Sequence, residues 1–372
     1  MKRVVFVSNF HPIPPLRSGA VQTWINEVAK RLMFFEPHTI SVENEFLPIK
    51  EYKDGVYHHR IHMSKIYKRV FQKILNFDIF SYNDRVFKEI QKIKPSIVHF
   101  QNYHPGMEKI AKKIRNWNKD IKIIFHLHNI YDFSKKDMGE FDALIGCSNF
   151  IVDHFRDKIK AKRYEMLKNG VDTKKFIRLN KEAKDFINIC AVSRVVRQKN
   201  LEYFIDLADE LKDHPEYKFF IIGDYKDKLG YKGYDYYLKV KNLVKDKKLN
   251  IEIIGNVVPD KINKVYSFAD ICVFPFNDSE PFGMVAIEAM SAQALVIAHN
   301  GGGAKEYMRD NENCRVFALE NFAKDAKECI LNLTQSDISR LTTNARSMCQ
   351  NQYDWDIVAN DTQNLYIKLI NE

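Results

Sequence analysis

Ile271-Cys272-Val273-Phe274-Pro275-Phe276-Asn277-Asp278-Ser279-Glu280-Pro281-Phe282-Gly283-Met284-Val285-Ala286-Ile287-Glu288-Ala289-Met290 runs from an apolar strand through a polar loop into an apolar helix. The strand is expected over Ile271–Phe276 and the helix over Phe282–Ser291, with Pro281 suited to a helix start. Gly283 leaves room for a ligand against the backbone, and the first N–H groups of the helix have no partner within it. Those groups and the helix dipole favour a diphosphate or a sugar oxygen. Glu288 is the one charge in the run from Met284 to Met290. A carboxylate there needs donors, which sugar or ribose hydroxyls would supply. A Glu on an exposed helix side, paired with a neighbouring Lys, is the equal alternative on spacing alone.

The same alternation continues in both directions. Toward the amino end lie strands at Phe186–Val192, Lys218–Ile222 and Ile251–Ile254, with a helix at Asn200–Leu211; beyond the motif comes Ala294–Ala298, followed by Asn300 and three glycines. The front half shows an earlier series: Val4–Val7, a helix from Val21 to Phe34, Ser96–Phe100, Ile121–Leu127 and Ala143–Cys147, with amphipathic stretches at Asp84–Ile93 and Met107–Trp117. Short β-branched and aromatic runs alternating with helical patterns predict parallel sheets wrapped by helices. At 372 residues the chain exceeds what one core usually organises. The fold class is therefore α/β, with two Rossmann-like domains facing across a cleft. We expect an N-terminal domain over 1–170, a C-terminal domain over 171–355, and a helix over 356–372 packing back on the first. In open parallel sheets ligands bind at the carboxyl ends of the strands.

Five landmarks, in order, carry a family resemblance. Glu280 and Glu288, with seven residues between them that begin Pro-Phe-Gly, resemble the Glu–x7–Glu motif of family 4 of the retaining glycosyltransferases, which have the GT-B fold. Ser193-Arg194-Val195-Val196-Arg197-Gln198-Lys199-Asn200 is similar to that family's Gly-Arg-Leu-x-x-x-Lys-Gly run. Asn169-Gly170-Val171-Asp172 with Phe176 resembles its interdomain segment, Gly302-Gly303-Ala304-Lys305-Glu306 its Gly-Gly-x-x-Glu turn, and Trp355-Asp356 the start of its last helix.

The resemblance implies a retaining transfer from a nucleotide-sugar donor, UDP-linked in most relatives, to a glycan or lipid-linked acceptor, as in bacterial lipopolysaccharide or capsule synthesis. It implies that Arg194 and Lys199 hold the donor diphosphate, which suits their chemistry. Glu288 would bind the ribose and Glu280 the transferred sugar. Phe282, Gly283, Met284 and Val285 would line the donor, the last three through their backbone, with Asn256 and Val257 beside the base. His128 would lie near the sugar, with His126 as its rival on the same strand face. Gly19 would approach phosphate and acceptor in a loop where the family usually has two glycines and this chain has Ser18 in place of the first. The leaving phosphate oxygen would help deprotonate the acceptor, so no protein base is required. No cofactor and no catalytic metal are expected, and Asp354-Trp355-Asp356 is read as a helix cap.

Charge divides the chain. Residues 1–180 hold 33 Lys and Arg against 19 Asp and Glu, a balance of +14, and the remainder carries −4. The basic half suits an anionic surface, or solvates exposed helix faces. Apolar residues at helical spacing among lysines over 64–75 allow a membrane-facing helix, or one packed on the front domain. No run approaches roughly 18 apolar residues, and the six cysteines form no metal or disulfide spacing. A cytoplasmic protein, peripheral on the inner membrane face, is the expectation. No Gly-x-Gly-x-x-Gly follows a strand, and no nucleic-acid module is present. A retaining phosphorylase normally needs a pyridoxal lysine or long extra segments, for which the chain has little room.

Overall fold

The computed structural model describes residues 1–8, 11–16, 19–62, 81–133, 137–179, 185–225 and 234–372. The basic amphipathic stretch at 64–75 lies outside the described residues. The chain forms two compact units, Met1–Asn169 with Trp355–Glu372, and Gly170–Asp354.

In the first unit β1 (Lys2–Val7) buries Val4 to Val7 completely. α1 follows (Ala20–Ala29), ending earlier than the apolar pattern to Phe34 suggests. The chain turns at Lys30 to Leu32, and Phe35 already begins β2 (Phe35–Val42). β3 (Lys50–Lys53) and β4 (Val56–Ile61) pair as an antiparallel hairpin. Next come α2 (Tyr82–Ile93), started by a Ser81/Asp84 capping box, β5 (Ile97–Gln101), α3 (Met107–Trp117), β6 (Lys122–Leu127), β7 (Glu140–Gly146), α4 (Asn149–Arg156) and β8 (Lys160–Met166). The strand order is β3-β4-β2-β1-β5-β6-β7-β8, parallel except for β3. Strands β2, β3, β4 and β8 carry too many polar residues to show an apolar run, which hides them from periodicity.

The second unit contains β9 (Ile187–Val192), α5 (Leu201–Glu210), β10 (Tyr217–Ile222), α6 (Tyr234–Asp246), β11 (Ile251–Ile254), α7 (Ile262–Phe268), β12 (Ile271–Pro275), α8 (Met284–Ser291), β13 (Leu295–His299), β14 (Arg315–Val316), α9 (Phe322–Asn332) and α10 (Gln335–Met348). Its order, β11-β10-β9-β12-β13-β14, is parallel throughout. Ile189, Ala191, Phe219, Ile221, Val273 and Ile297 meet Phe204, Ile205 and Val240 in the core. The order in which strands are added reverses between β9 and β12, where the crevice at a doubly wound sheet's carboxyl edge opens. Among the described residues these two strands pair at Ile189–Ile271 and Cys190–Cys272, and the ladder ends before their carboxyl ends. The chain enters and leaves this unit side by side: Val171 bridges Asp354, and its N–H donates to the Tyr353 carbonyl.

α11 (Trp355–Asn371) completes the first unit, burying Trp355, Val358, Tyr366 and Leu369. Asp356 pairs with Arg31 at 2.6 Å and Gln363 Oε1 accepts from the Met33 and Phe34 N–H groups. The Asp354 carboxylate accepts from Thr173. Both aspartates are thus engaged in holding chain ends.

Candidate active site

In the second unit the switch-point crevice gathers most of the candidates. β9 delivers Ser193 and Arg194, and a short turn over Arg197–Lys199 brings Lys199 back over the edge. Asn200, left-handed at φ 49, ties this turn across the crevice by donating Nδ2 to the Pro275 carbonyl at 3.1 Å. On the other side β12 runs into the loop that carries Glu280. Lys199 Nζ meets Glu280 Oε2 at 2.8 Å, with both side chains mostly covered, and lies 5.1 Å from the centre of the Phe276 ring. Arg194 is exposed and, among the described residues, has no carboxylate partner. The two cations therefore differ: Lys199 is held in place by a carboxylate, while Arg194 reaches into solvent.

The loop bearing Glu280 is held from below by glycine backbone. Gly302 has φ +57, and a Cβ there would lie 2.2 Å from the Glu280 carbonyl oxygen; the Gly303 N–H donates to that same carbonyl at 2.8 Å. Gly283, at φ +85, caps α8, and a Cβ on it would strike the Phe276 ring at 2.9 Å. Tyr307 locks this turn by hydroxyl contacts of 2.9 Å to the carbonyls of Phe282 and Gly283. The helix itself begins at Met284, two residues later than periodicity indicates, because Gly283 must first turn the chain. Met284 and Val285 then occupy the first turn, whose N–H groups have no acceptor within a helix. Phe282 points the other way. Its ring is buried on Tyr307 and Tyr353, so its side chain supports the turn, not a donor face.

One turn further, Glu288 is half-buried and accepts a hydrogen bond from the Tyr266 hydroxyl at 2.7 Å. Burial raises its pKa to about 7, against the opposing pulls of Tyr266 and nearby Lys175. At neutral pH it is thus poised between acid and carboxylate. Asn256 and Val257 follow β11, two strands away from β9 along the same carboxyl edge, Asn256 exposed and Val257 half-buried. Gly255 before them lies against Tyr225, whose ring stacks on Tyr237 at 4.3 Å.

In the first unit His128 follows β6, and Gly19 precedes α1. Gly19 is extended (φ −166) and gives α1 no side-chain cap; a Cβ would meet the Gln22 side-chain oxygen, so space and not chirality favours glycine. His126 and His128 do share a face, ring centres 4.1 Å apart, and both are buried beside Trp24. His128 Nε2 donates to Gln101 Oε1 at 2.8 Å, and burial lowers its pKa to about 3, so it is neutral. Burial holds His126 well below the ordinary imidazole value, so it too is neutral. Tyr266, Tyr307, Asn200, Phe276 and Gln101 were not legible as site residues. Gln101 lies next to a predicted strand, and Asn200 and Phe276 stand inside stretches that the sequence singles out, but Tyr266 and Tyr307 act across long sequence separations and carry no local signal.

Two family models match the chain: Glycosyl transferases group 1 over residues 172–349 and Glycosyltransferase Family 4 over 35–175. A lipopolysaccharide 1,2-N-acetylglucosaminetransferase of Salmonella typhimurium is 28% identical, over 96% of each chain. The crystal structure of a glycosyltransferase from Rickettsia africae superposes with a TM-score of 0.76 at 22% identity, covering 100% of this chain and 99% of that one. An Anabaena protein, HepE, solved in complex with UDP and glucose, gives a TM-score of 0.74 at 15% identity over 99% and 100% of the chains. The site geometry and these matches agree: the chain belongs to the glycosyl transferases group 1 and is a glycosyltransferase of the GT-B type.

Proposed function

We propose that this glycosyltransferase moves a sugar from a nucleotide donor held by the second unit to a glycan or lipid-linked acceptor bound by the first, with retention of the anomeric configuration. The observation that carries the donor assignment is the Lys199–Glu280 pair at 2.8 Å, beside the amino end of α8. A diphosphate entering the crevice draws Lys199 to itself and frees Glu280 for sugar hydroxyls. Arg194, without a carboxylate partner among the described residues, adds a second cation against the charge that develops on the leaving phosphate. The leaving oxygen then takes the acceptor proton, so the reaction asks no protein side chain to act as base and no metal to act as Lewis acid. Glu288 binds the ribose, and Asn256 and Val257 flank the base.

UDP is the favoured nucleotide, in line with the UDP and glucose complex of the Anabaena protein. The Salmonella typhimurium relative, named for lipopolysaccharide sugar transfer, supports an acceptor in surface polysaccharide synthesis. The +14 balance of residues 1–180 supports attachment to an anionic membrane face; among the described residues no helix is long and apolar enough to cross a membrane.

Thermal-shift screening against UDP, GDP, ADP and their sugar conjugates, with EDTA present, tests the donor site. Stabilisation by one nucleotide series, weakened in Lys199→Ala and Glu288→Ala, is expected; no shift at millimolar nucleotide overturns it. NMR of the product's anomeric proton decides retention against inversion. Flotation with anionic liposomes at physiological salt, for the wild type and a variant lacking the Lys65, Lys68, Arg69 and Lys73 charges, tests the membrane.

A further inference from the structure

Tyr266 of α7 is completely buried, and its hydroxyl has a single partner among the described residues, Oε2 of Glu288 on α8, at 2.7 Å. Burial and the carboxylate beside it hold the phenol well above its ordinary pKa, so it stays protonated and donates. A phenol that donates needs a bare oxygen opposite it. Oε2 therefore carries no proton, and any proton that Glu288 takes up sits on Oε1. Oε1 itself has no hydrogen-bond partner among the described residues, and Glu288 is only half-buried. A sealed hydroxyl left without an acceptor is costly, so the contact also holds the carboxylate in one orientation.

The packing behind Tyr266 closes a loop of contacts. The Phe176 ring meets the Tyr266 ring edge-on, with centres 5.6 Å apart. The Phe176 carbonyl accepts from Ser291 Oγ at 2.9 Å and from Arg346 Nη1 at 2.7 Å. Ser291 and Glu288 are three apart on α8, neighbours on the helix surface. Tyr266 is thus fastened, through Phe176, to the same helix that carries the carboxylate it faces. Other titratable groups pack around this carboxylate. Lys175, next to Phe176, brings a positive charge that favours the ionised form. Cys272 of β12 lies near the phenol, and the Cys349 thiol donates to the Ile287 carbonyl. Arg346 of α10 is engaged by backbone, holding the Ser291 and Thr173 carbonyls as well.

We infer that Tyr266 is a positioning residue for the nucleotide: it ties down Oε2 of Glu288 and turns Oε1 to the ribose, with Phe176 as its backing. The inference rests on the ribose role given to Glu288 above. It carries the donor site beneath α8, to α7 and to the segment by which the chain enters the second unit. Because the phenol stabilises the carboxylate, the form that accepts from ribose hydroxyls, Tyr266 also sets the pH at which the site becomes competent.

Carboxyl-carbon NMR on glutamate-13C-labelled protein follows Glu288 without any ligand, with Glu288→Gln identifying its resonance. The wild type is expected to titrate near neutrality. Tyr266→Phe removes a single oxygen and is expected to raise that midpoint by about one pH unit, the size expected for one lost hydrogen bond to a charged group. An unmoved midpoint overturns the inference. Calorimetric titration with UDP, GDP and ADP, which share the ribose, reads the nucleotide side. The nucleotide that binds is expected to bind Tyr266→Phe about five- to tenfold more weakly at pH 7. The same substitution made in Glu288→Ala is expected to change affinity less than about twofold, since the carboxylate it acts through is gone. Equal loss in both backgrounds means a general loosening of the unit and overturns the positioning role. Wild-type affinity in Glu288→Ala, or no binding of any of the nucleotides by the wild type, would instead sink the ribose assignment, while the carboxyl titration still decides whether Tyr266 holds Oε2.

Discussion

At the scale of single residues, Lys199, Glu280 and Glu288 differ in what surrounds them. Lys199 and Glu280 neutralise each other in a mostly covered pair, so removing one partner leaves the other charge under-compensated. Lys199→Ala is expected to weaken nucleotide binding by about ten- to a hundredfold, as for a lost charge-assisted contact, measured by titration calorimetry. Glu288 responds to pH. Its folded pKa of about 7 lies above the ordinary carboxylate value, so the folded chain holds a proton that the unfolded chain releases. Its contribution to stability is therefore present at low pH and declines as pH rises through roughly 4.5 to 7. Ribose hydroxyls favour the carboxylate, so nucleotide affinity is expected to rise between pH 6 and 8. Glu288→Gln should flatten that rise in the same titration; a wild-type profile already flat would remove Glu288 from the ribose.

At the scale of elements, the loop between β12 and α8 is shaped by a turn from elsewhere in the unit. Gly302 meets the Glu280 carbonyl so closely that no side chain fits, and its left-handed backbone is one that other residues adopt at a cost. Gly302→Ala is expected to destabilise the second unit by about 1–3 kcal/mol and to displace Glu280, measured by denaturant unfolding together with nucleotide affinity. Tyr307→Phe separates the two effects. It keeps the ring against Phe282 but loses the hydroxyl contacts to the carbonyls of Phe282 and Gly283. Nucleotide affinity should fall with a smaller loss of stability, about 1 kcal/mol.

At the scale of the whole molecule, the chain leaves its first unit at Asn169 and returns to it at Trp355. α11 buries Trp355, Val358, Tyr366 and Leu369 there, and each large apolar side chain of this kind contributes about 1.5–3 kcal/mol. Removing residues 355–372 is expected to strip hydrogen-exchange protection from β1, β5 and β6 while leaving β9, β10 and β12 protected. Equal loss in both units would mean that they unfold together.

The amino-acid sequence by itself determined the alternation of strands and helices, the two series, the turn at Pro281-Phe282-Gly283 and the order of the charged motifs. These are local: apolar runs a few residues long, turn residues and spacings report what a short segment does on its own. Polar strands such as β2, with Glu36 and His38 in contact, escaped because their pairing and not their composition makes them strands. The tertiary structure alone decided the rest. Lys199 reaches Glu280 across 81 residues, Tyr366 reaches His99 across 267, and Phe282 turns inward although its neighbours line the crevice. Such contacts depend on which strands lie side by side and on the burial of every layer between them. No window of sequence contains that information, because the free energy that selects one pairing is shared over the whole core.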